Sequence, residues 1–501
     1  MKKCLALALT VSAALPSIAQ ARPASPVPAA KTDLGRVSGK AFPGGAVFFN
    51  IPFAAPPVGD LRWTRPAPAK PWAGVRDGTK RGNACTQPDQ KWNAIDAARG
   101  SEDCLYLNVW RPTGVKPHAV MVWFHGGAFI GGAGNTPLYD GEALARRGIV
   151  LVTVNYRLGL MGFLTHPGLA AQDPKGKSGN YGLMDQVEAL RWVRRNVAAF
   201  GGDPRNVTIF GQSAGAASVA FLIAAPAAKG LFHRAILQSG APFGSLLGAT
   251  RRLEDVEGAN AALGPIADLK RLPAAEVMDR WNKLAREAGA GLPLSPVVDG
   301  DLLPVAPGTA LLAGAARHLD IIVGSNSREM PGPQSPEQLQ IMARKALGDR
   351  ADAVLAGYAA RADKVRYGPA ADQLVADLGF GCGVPRTAQS AGAAWAYTFA
   401  QPSPGEPMVR HSAEISYVFG LANHDDGVLT LRPFNAGERA LAAKVATYWA
   451  NFAKKGDPNG PGLPHWPKYA QPARTGVVFQ NNGVAVKAFN APACAADPRT
   501  N

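Results

Sequence analysis

The stretch from Phe200 to Gly215, FGGDPRNVTIFGQSAG, limits what this chain can fold into more than any other. Residues 207–210 are β-branched or aromatic and predict a short buried strand. From Ala214 the residues turn small, and Ala216, Ala217, Val219, Ala220 and Leu222 predict a helix. Between the two stands Gly211-x-Ser213-x-Gly215. A serine on so sharp a strand-to-helix turn has its hydroxyl pushed out of the sheet, and the flanking glycines remove the Cβ atoms that would clash there. The helix start aims unpaired backbone N–H groups, and the positive end of its dipole, at the same point. A nucleophile beside an anion-stabilising site is what acyl transfer needs. The pentapeptide by itself arises by chance in a glycine-rich chain; the strand before it and the helix after it give it meaning.

The rest of the chain repeats that alternation. Strands are predicted at 105–110, 119–124, 149–155, 234–239, 321–325 and 394–399, with an opening strand inside 37–56. Residues 182–200 predict an amphipathic helix, with Leu183, Val187, Leu190, Val193 and Val197 on one face. Strands alternating with helices give an α/β class: a large, mostly parallel central sheet with helices on both faces. The apolar run 119–124 suits a strand buried on both sides. It leads into His125-Gly126-Gly127-Ala128-Phe129, where paired glycines let the backbone approach a ligand, as the second half of an oxyanion hole. Residues 240–296 and 331–376 read as helical additions around the sheet. A helix carrying Leu441, Val445, Trp449 and Phe452 precedes the turn Gly456-Asp457-Pro458-Asn459-Gly460-Pro461, and the tail beyond reads as loop-rich. Trp92, inside the loop between Cys85 and Cys104, either lines a substrate gorge or packs the loop down; packing is the favoured reading.

Length and charge set bounds. At about 150 residues per domain, 501 residues suggest more than one domain, but large α/β folds exceed that figure. Lys2 and Lys3, the apolar run 5–15 and Ala19-Gln20-Ala21 read as a signal peptide over 1–21, too short for a membrane span. Residues 22–36 then read as a flexible leader, and 37–501 as one domain. An exported chain of this kind is expected to be periplasmic or extracellular, with no stable membrane anchor. Beyond Cys4, the four cysteines allow three pairings; Cys85 with Cys104 and Cys382 with Cys494 is our choice. A zinc site lacks the required spacing, and no metal or cofactor is implied. The formal net charge of +16 comes without a nucleic-acid motif or a long basic run, so a diffuse basic surface is expected and no nucleic-acid partner.

Several further motifs resemble the type-B carboxylesterase family, which includes cholinesterases and bacterial para-nitrobenzyl esterases. The stretch 200–215 fits that family's serine signature, and EDCLYLNVWRP at 102–112 fits its second signature. Asn155-Tyr156-Arg157-Leu158-Gly159, the run 179–186, Gln238-Ser239-Gly240, the run 296–300 and Gly456-Asp457-Pro458-Asn459 are also in place. The resemblance runs from about residue 37 to the C-terminus and implies an α/β-hydrolase fold with helical and loop additions over the active site. It also supplies what spacing cannot. The family's acid segment is matched by Gly324-Ser325-Asn326-Ser327-Arg328-Glu329-Met330, which implies Glu329, with Met330 where glycine is usual. Its histidine segment is matched by 411–420, which implies His411 rather than His125 or His233, with Ser412 for glycine. The order Ser213, Glu329, His411 is that of α/β-hydrolases. The oxyanion donors carried over are the N–H groups of Gly127, Ala128 and Ala214, and the family's disulfides support the pairing of Cys85 with Cys104 and Cys382 with Cys494.

The implied activity is hydrolysis of small to medium carboxylic esters through a Ser-His-Glu triad and an acyl-enzyme, with a small-molecule ester as partner. Two other readings stand beside it: a hydrolase for acidic, polycarboxylate esters, and a non-catalytic cholinesterase-like binding module. Leu292 and Leu294 fall where related enzymes place acyl-pocket side chains. Nothing in the sequence speaks to oligomeric state.

Overall fold

The computed structural model describes residues 27–114, 116–243, 250–287, 294–361, 363–421, 424–425, 430–481, 483–489 and 492–496. The proposed signal peptide, the first part of the leader and Leu292 lie outside them. One large sheet of eleven strands organises the described residues. In chain order its strands are β1 (Lys40–Phe42), β2 (Gly45–Pro52), β3 (Tyr106–Pro112), β4 (His118–Phe124), β5 (Ile149–Val154) and β6 (Gly202–Gln212). They continue as β7 (Arg234–Gln238), β8 (Asp320–Asn326), β9 (Ala393–Phe399), β10 (Thr475–Gln480) and β11 (Gly483–Ala488). The spatial order is β11-β10-β9-β8-β7-β6-β4-β5-β3-β2-β1. Strands β4 to β10 run parallel, and the antiparallel strands lie toward the two edges.

The period-two pattern of the strands sorts their side chains onto two layers. On β4, Val120, Val122 and Phe124 face one side, where helices α1 (Tyr181–Asn196) and α2 (Ala214–Ala224) cover the sheet. Met121 and Trp123 face the other side, against Leu441, Val445, Trp449 and Phe452 of a long helix, Ala436–Lys455. Each fully buried aliphatic side chain contributes about 1.5–3 kcal/mol, so both faces hold their helices firmly. That helix starts on a capping box between Asn435 and Glu438 and stops at Gly456, in the left-handed conformation at φ 75°. The insertion after β7 carries a further helix, Ala274–Glu287, as expected of 240–296.

Three expectations change. Within the supposed leader, Ala29–Lys31 is already a strand, paired with Arg36–Ser38 in a small separate sheet. Ala30 is buried there opposite a fully buried Val37, a role that alanine's weak strand preference conceals. The tail is not all loop, since β10 and β11 form a hairpin that extends the sheet, with Val477 and Phe479 buried. The strand before Ser213 is longer than 207–210, reaching back to Gly202 through a register shift. Both expected disulfides, Cys85–Cys104 and Cys382–Cys494, are present.

Candidate active site

Ser213 follows the last residue of β6 and precedes the first of α2, at φ 57° and ψ −126°. That conformation is sparsely populated for a residue with a side chain and is sustained only by its surroundings. The glycines are required by close approach. A Cβ on Gly215 would lie 2.0 Å from the carbonyl oxygen of Phe124, and one on Gly211 would lie 2.4 Å from the backbone of Gly215. The turn is thus pressed against the end of β4. Ser213 N–H donates to Gln238 O on β7 at 2.9 Å, which ties the turn to the next strand as well.

The end of β4 supplies the second wall. A Cβ on Gly126 would meet the Cβ of Ser213 at 3.2 Å, so the His125–Phe129 turn runs directly beside the serine. Gly127, Ala128 and Phe129 have successive positive φ values of 115°, 54° and 63°. Among the described residues, the N–H groups of Gly127, Ala128 and Ala214 have no acceptor. The turn is braced from behind. Tyr156 O–H donates to His125 O at 2.7 Å, and the two rings stack 4.4 Å apart. Burial pushes His125 down to about 4, so its ring is neutral, and Nδ1 sits 2.8 Å from Gly126 O. His233 is likewise engaged, its Nδ1 accepting from Val207 N–H at 3.2 Å at the start of β7.

Glu329 and His411 meet although 82 residues separate them. Glu329 follows β8 and is buried. Its Oε2 accepts from His411 Nδ1 at 2.6 Å, while Oε1 accepts from Ser239 Oγ and from Asn326 N–H, each at 2.7 Å. The backbone adds a bond from His411 N–H to Glu329 O at 2.9 Å. Burial lowers the affinity of His411 for a proton, but the Glu329 charge and hydrogen bond, with a further contribution from Glu414, outweigh it and raise the net value. Phe380, in the π-helical turn Asp377–Gly381, packs its ring 5.1 Å from the imidazole. Met330 is not among the residues with positive φ, so this turn does not need the glycine usual there. Ser412 does hold φ 72°, a conformation that favours glycine.

His411 Nε2 lies 3.0 Å from Gln212 Nε2, the residue immediately before Ser213. The Gln212 amide donates to that nitrogen, which fits an imidazole carrying its proton on Nδ1 toward Glu329. Among the described residues the Ser213 hydroxyl has no hydrogen-bond partner, and Ser213 is the next residue after the Gln212 that occupies the Nε2 lone pair. Such bonds are often long in unliganded sites and tighten with substrate.

Four polar residues of this site went without a role in the sequence reading: Gln212, Ser239, Asn326 and Glu414. Glu414 is fully buried three residues after His411 and accepts from Asn326 Nδ2 at 2.9 Å and from Gln238 Nε2 at 3.2 Å. Burial first, then the neighbouring Glu329, raises its pKa. The signal for all four was their place inside the motifs around Ser213, Gly240, Glu329 and His411.

A cavity of about 600 Å³ opens beside Ala128. Its walls mix apolar side chains, Ile130, Leu158, Met161, Met278, Trp281 and Leu294, with polar ones, and its charged residues are Asp89 and Arg286. Leu294 is one of its lining residues. Trp92 departs from the favoured packing role. It is 50% exposed, with its ring edge about 3 Å from where a Cβ on Gly127 or Gly131 would sit. The short Cys85–Cys104 loop presents it at the Gly127 turn rather than burying it.

Comparison with known proteins agrees with this architecture. The family model described as "Carboxylesterase family" matches residues 26–495. The chain is 37% identical over 446 residues to a fumonisin B1 esterase of Sphingopyxis macrogoltabida, covering 84% of this chain and 81% of that protein. It is 34% identical over 479 residues to a para-nitrobenzyl esterase of Bacillus subtilis, covering 90% and 94%. In structure it is similar to the carboxylesterase EST55 of Geobacillus stearothermophilus, with a TM-score of 0.78 and 34% identity over 92% of this chain and 97% of that one. The chain belongs to the type-B carboxylesterase family, has its α/β-hydrolase fold, and is a carboxylesterase.

Proposed function

We propose that ester hydrolysis here runs through an acyl-enzyme formed on Ser213. His411 Nε2 takes the Ser213 proton as Oγ attacks the ester carbonyl, and the N–H groups of Gly127, Ala128 and Ala214 receive the oxyanion. His411 then protonates the leaving alcohol, and water repeats the cycle. Glu329 holds the Nδ1–H tautomer and offsets the positive charge that develops on the ring. The observation that carries this reading is the 2.6 Å Glu329–His411 contact, with the opposite ring nitrogen turned to the Gln212–Ser213 elbow. Substrates are small to medium carboxylic esters with one apolar group sized to the cavity beside Ala128. The test is Ser213→Ala on p-nitrophenyl acetate, together with fluorophosphonate labelling of both forms. Turnover near the wild-type rate, or equal labelling, would refute the nucleophile.

A second reading, esters with acidic groups, is favoured by Arg286 in that cavity and by the net charge of +16. Loss of kcat/KM with added salt on an acidic ester but not on a neutral one supports it, and an equal response removes it. The non-catalytic module is disfavoured by an occupied serine, acid and histidine. Export through a signal peptide at 1–21 is proposed from the leader's composition and is in keeping with two disulfides. Among the described residues no helix is long and apolar enough to cross a membrane.

A further inference from the structure

Gln87 lies in the loop closed by the Cys85–Cys104 disulfide and is buried. Its side-chain amide uses every hydrogen-bonding position that it has. Oε1 accepts from Gly132 N–H and from Asn93 Nδ2, each at 2.7 Å. Nε2 donates to Gly132 O at 3.0 Å and to Cys85 O at 2.9 Å. The backbone settles which end of the amide is which, since Gly132 offers one donor and one acceptor and Gln87 meets both. Asn93 is fixed in the same way: its Oδ1 accepts from Gln90 N–H at 2.7 Å, and its Nδ2 also donates to Pro88 O at 2.9 Å. Among the described residues no other side chain hydrogen-bonds to residues 130–132.

Gly132 closes the turn that begins at His125. A Cβ on Gly132 would lie 2.7 Å from both Gly126 O and His125 Nδ1, so the two ends of the turn press against each other. Between them Gly127 O accepts from Ile130 N–H at 2.9 Å and from Gly131 N–H at 3.0 Å. Ala128 and Phe129, at φ 54° and 63°, hold a conformation that is costly for residues with a Cβ. Such a conformation persists only where its surroundings over-determine it. The reciprocal pair of bonds to Gly132 is one such constraint, and it comes from outside the large sheet. We infer that Gln87 is a positioning residue for the oxyanion donors. By clamping Gly132 it keeps the strained turn wound, so that the Gly127 and Ala128 N–H groups stay beside Ser213. Its effect reaches the substrate only through that backbone, because neither Gln87 nor Asn93 lines the cavity beside Ala128. This role rests on the reading of Ser213 as nucleophile and of those N–H groups as oxyanion donors.

The test pairs turnover of p-nitrophenyl acetate with inhibition by an alkyl trifluoromethyl ketone, which mimics the tetrahedral intermediate. In that complex Ser213 Oγ bonds to the ketone carbon, the serine proton passes to His411 Nε2, and the carbonyl oxygen becomes an oxyanion facing the same N–H groups. Gln87→Met keeps the bulk and removes all four hydrogen bonds. It is expected to lower kcat by about 10- to 100-fold, below the 10²–10³ of losing an oxyanion donor outright, with KM changed less than about threefold. The Ki of the ketone is expected to rise in parallel with the fall in kcat/KM. Asn93→Ala leaves both Gly132 bonds in place but removes their support. It is expected to give a smaller parallel loss, about two- to fivefold, and reads the same clamp should Gln87→Met fail to fold. A folded Gln87→Met within about threefold of wild type in kcat, a change confined to KM, or a lost kcat with an unchanged Ki overturns the positioning role. Ser213→Ala tests the premise apart from it. Ketone binding there as tight as in wild type refutes the nucleophile and this role with it, whereas weakened binding there beside an unchanged Ki in Gln87→Met refutes the clamp alone.

Discussion

Glu329→Gln keeps the shape of the acid and removes its charge, and the surrounding hydrogen bonds decide the cost. In the native site Oε1 accepts from Asn326 N–H and Ser239 Oγ, and Oε2 accepts from His411 Nδ1. A glutamine has one acceptor end and one donor end. If its NH₂ faces Asn326, two donors oppose each other. Ser239 can rotate its hydroxyl to accept, but a backbone N–H cannot, and one buried unpaired donor costs about 1–3 kcal/mol. At about 1.4 kcal/mol per tenfold, that disfavours this orientation by roughly 5- to 150-fold. In the other orientation the NH₂ faces His411 Nδ1, which must then accept. The ring proton moves to Nε2, where it cannot receive the proton of Ser213. In a serine triad the wrong tautomer costs about 10⁴ in kcat. Glu329→Gln is therefore expected to lower kcat on p-nitrophenyl acetate by about 10² to 10⁴, with KM and melting temperature little changed. Residual activity should shift to lower pH, because the charge that raises His411 has gone. A loss of less than tenfold in a folded variant would refute the assignment and move suspicion to Glu414, the other buried carboxylate near the ring.

Four other outcomes rest on the same geometry. Wild-type activity should fall on the acid side with a midpoint above the ordinary histidine value of 6.5, since a raised His411 stays protonated, and inactive as a base, to higher pH. Glu414→Gln should move that midpoint down in a pH–kcat/KM profile, because the Glu414 charge is one of the groups holding it up; a midpoint at or below 6.5 in wild type would contradict the electrostatics. Ser412→Gly should raise stability to denaturant by up to ~1 kcal/mol by relieving the φ of 72°, and a loss would mean that contacts of the side chain outweigh the strain. Gly215→Ala should prevent folding or cost more than ~3 kcal/mol, since its Cβ would sit 2.0 Å from a backbone oxygen that cannot move without shifting β4; wild-type melting would overturn that reading.

The sheet was legible because central parallel strands are apolar runs and the helices beside them keep a clean helical period. Residues 119–124 and 182–196 could be placed from local pattern alone. Ala29–Lys31 was not, because alanine buried in an edge pairing looks like a linker. The hairpin of β10 and β11 did leave a signal, alternating Val477 and Phe479 before Asn481-Asn482-Gly483, but the glycine- and proline-rich turn preceding it masked the change. Ser213 and the Gly127 turn could be read from local chemistry, since each is a short backbone device. Glu329 and His411 could not, because their meeting depends on where β8 and β9 end in space; only the family resemblance pointed to them. Gln212 and Glu414 were hidden for a related reason: a polar residue's role in a site is set by its neighbours across strands.

Ser213, Glu329 and the Gly127 turn each leave the end of a strand in one hydrogen-bonded sheet, whereas Met278 and Trp281 stand on a helix inserted after β7 and Trp92 on a disulfide-closed loop. Under the proposed mechanism, bond-making and the inserted helix's part in ligand choice thus ride on separate supports. Remodelling the inserted helix should exchange one ester for another while the reactive groups keep their spacing, so new selectivities are open to this scaffold without rebuilding its chemistry.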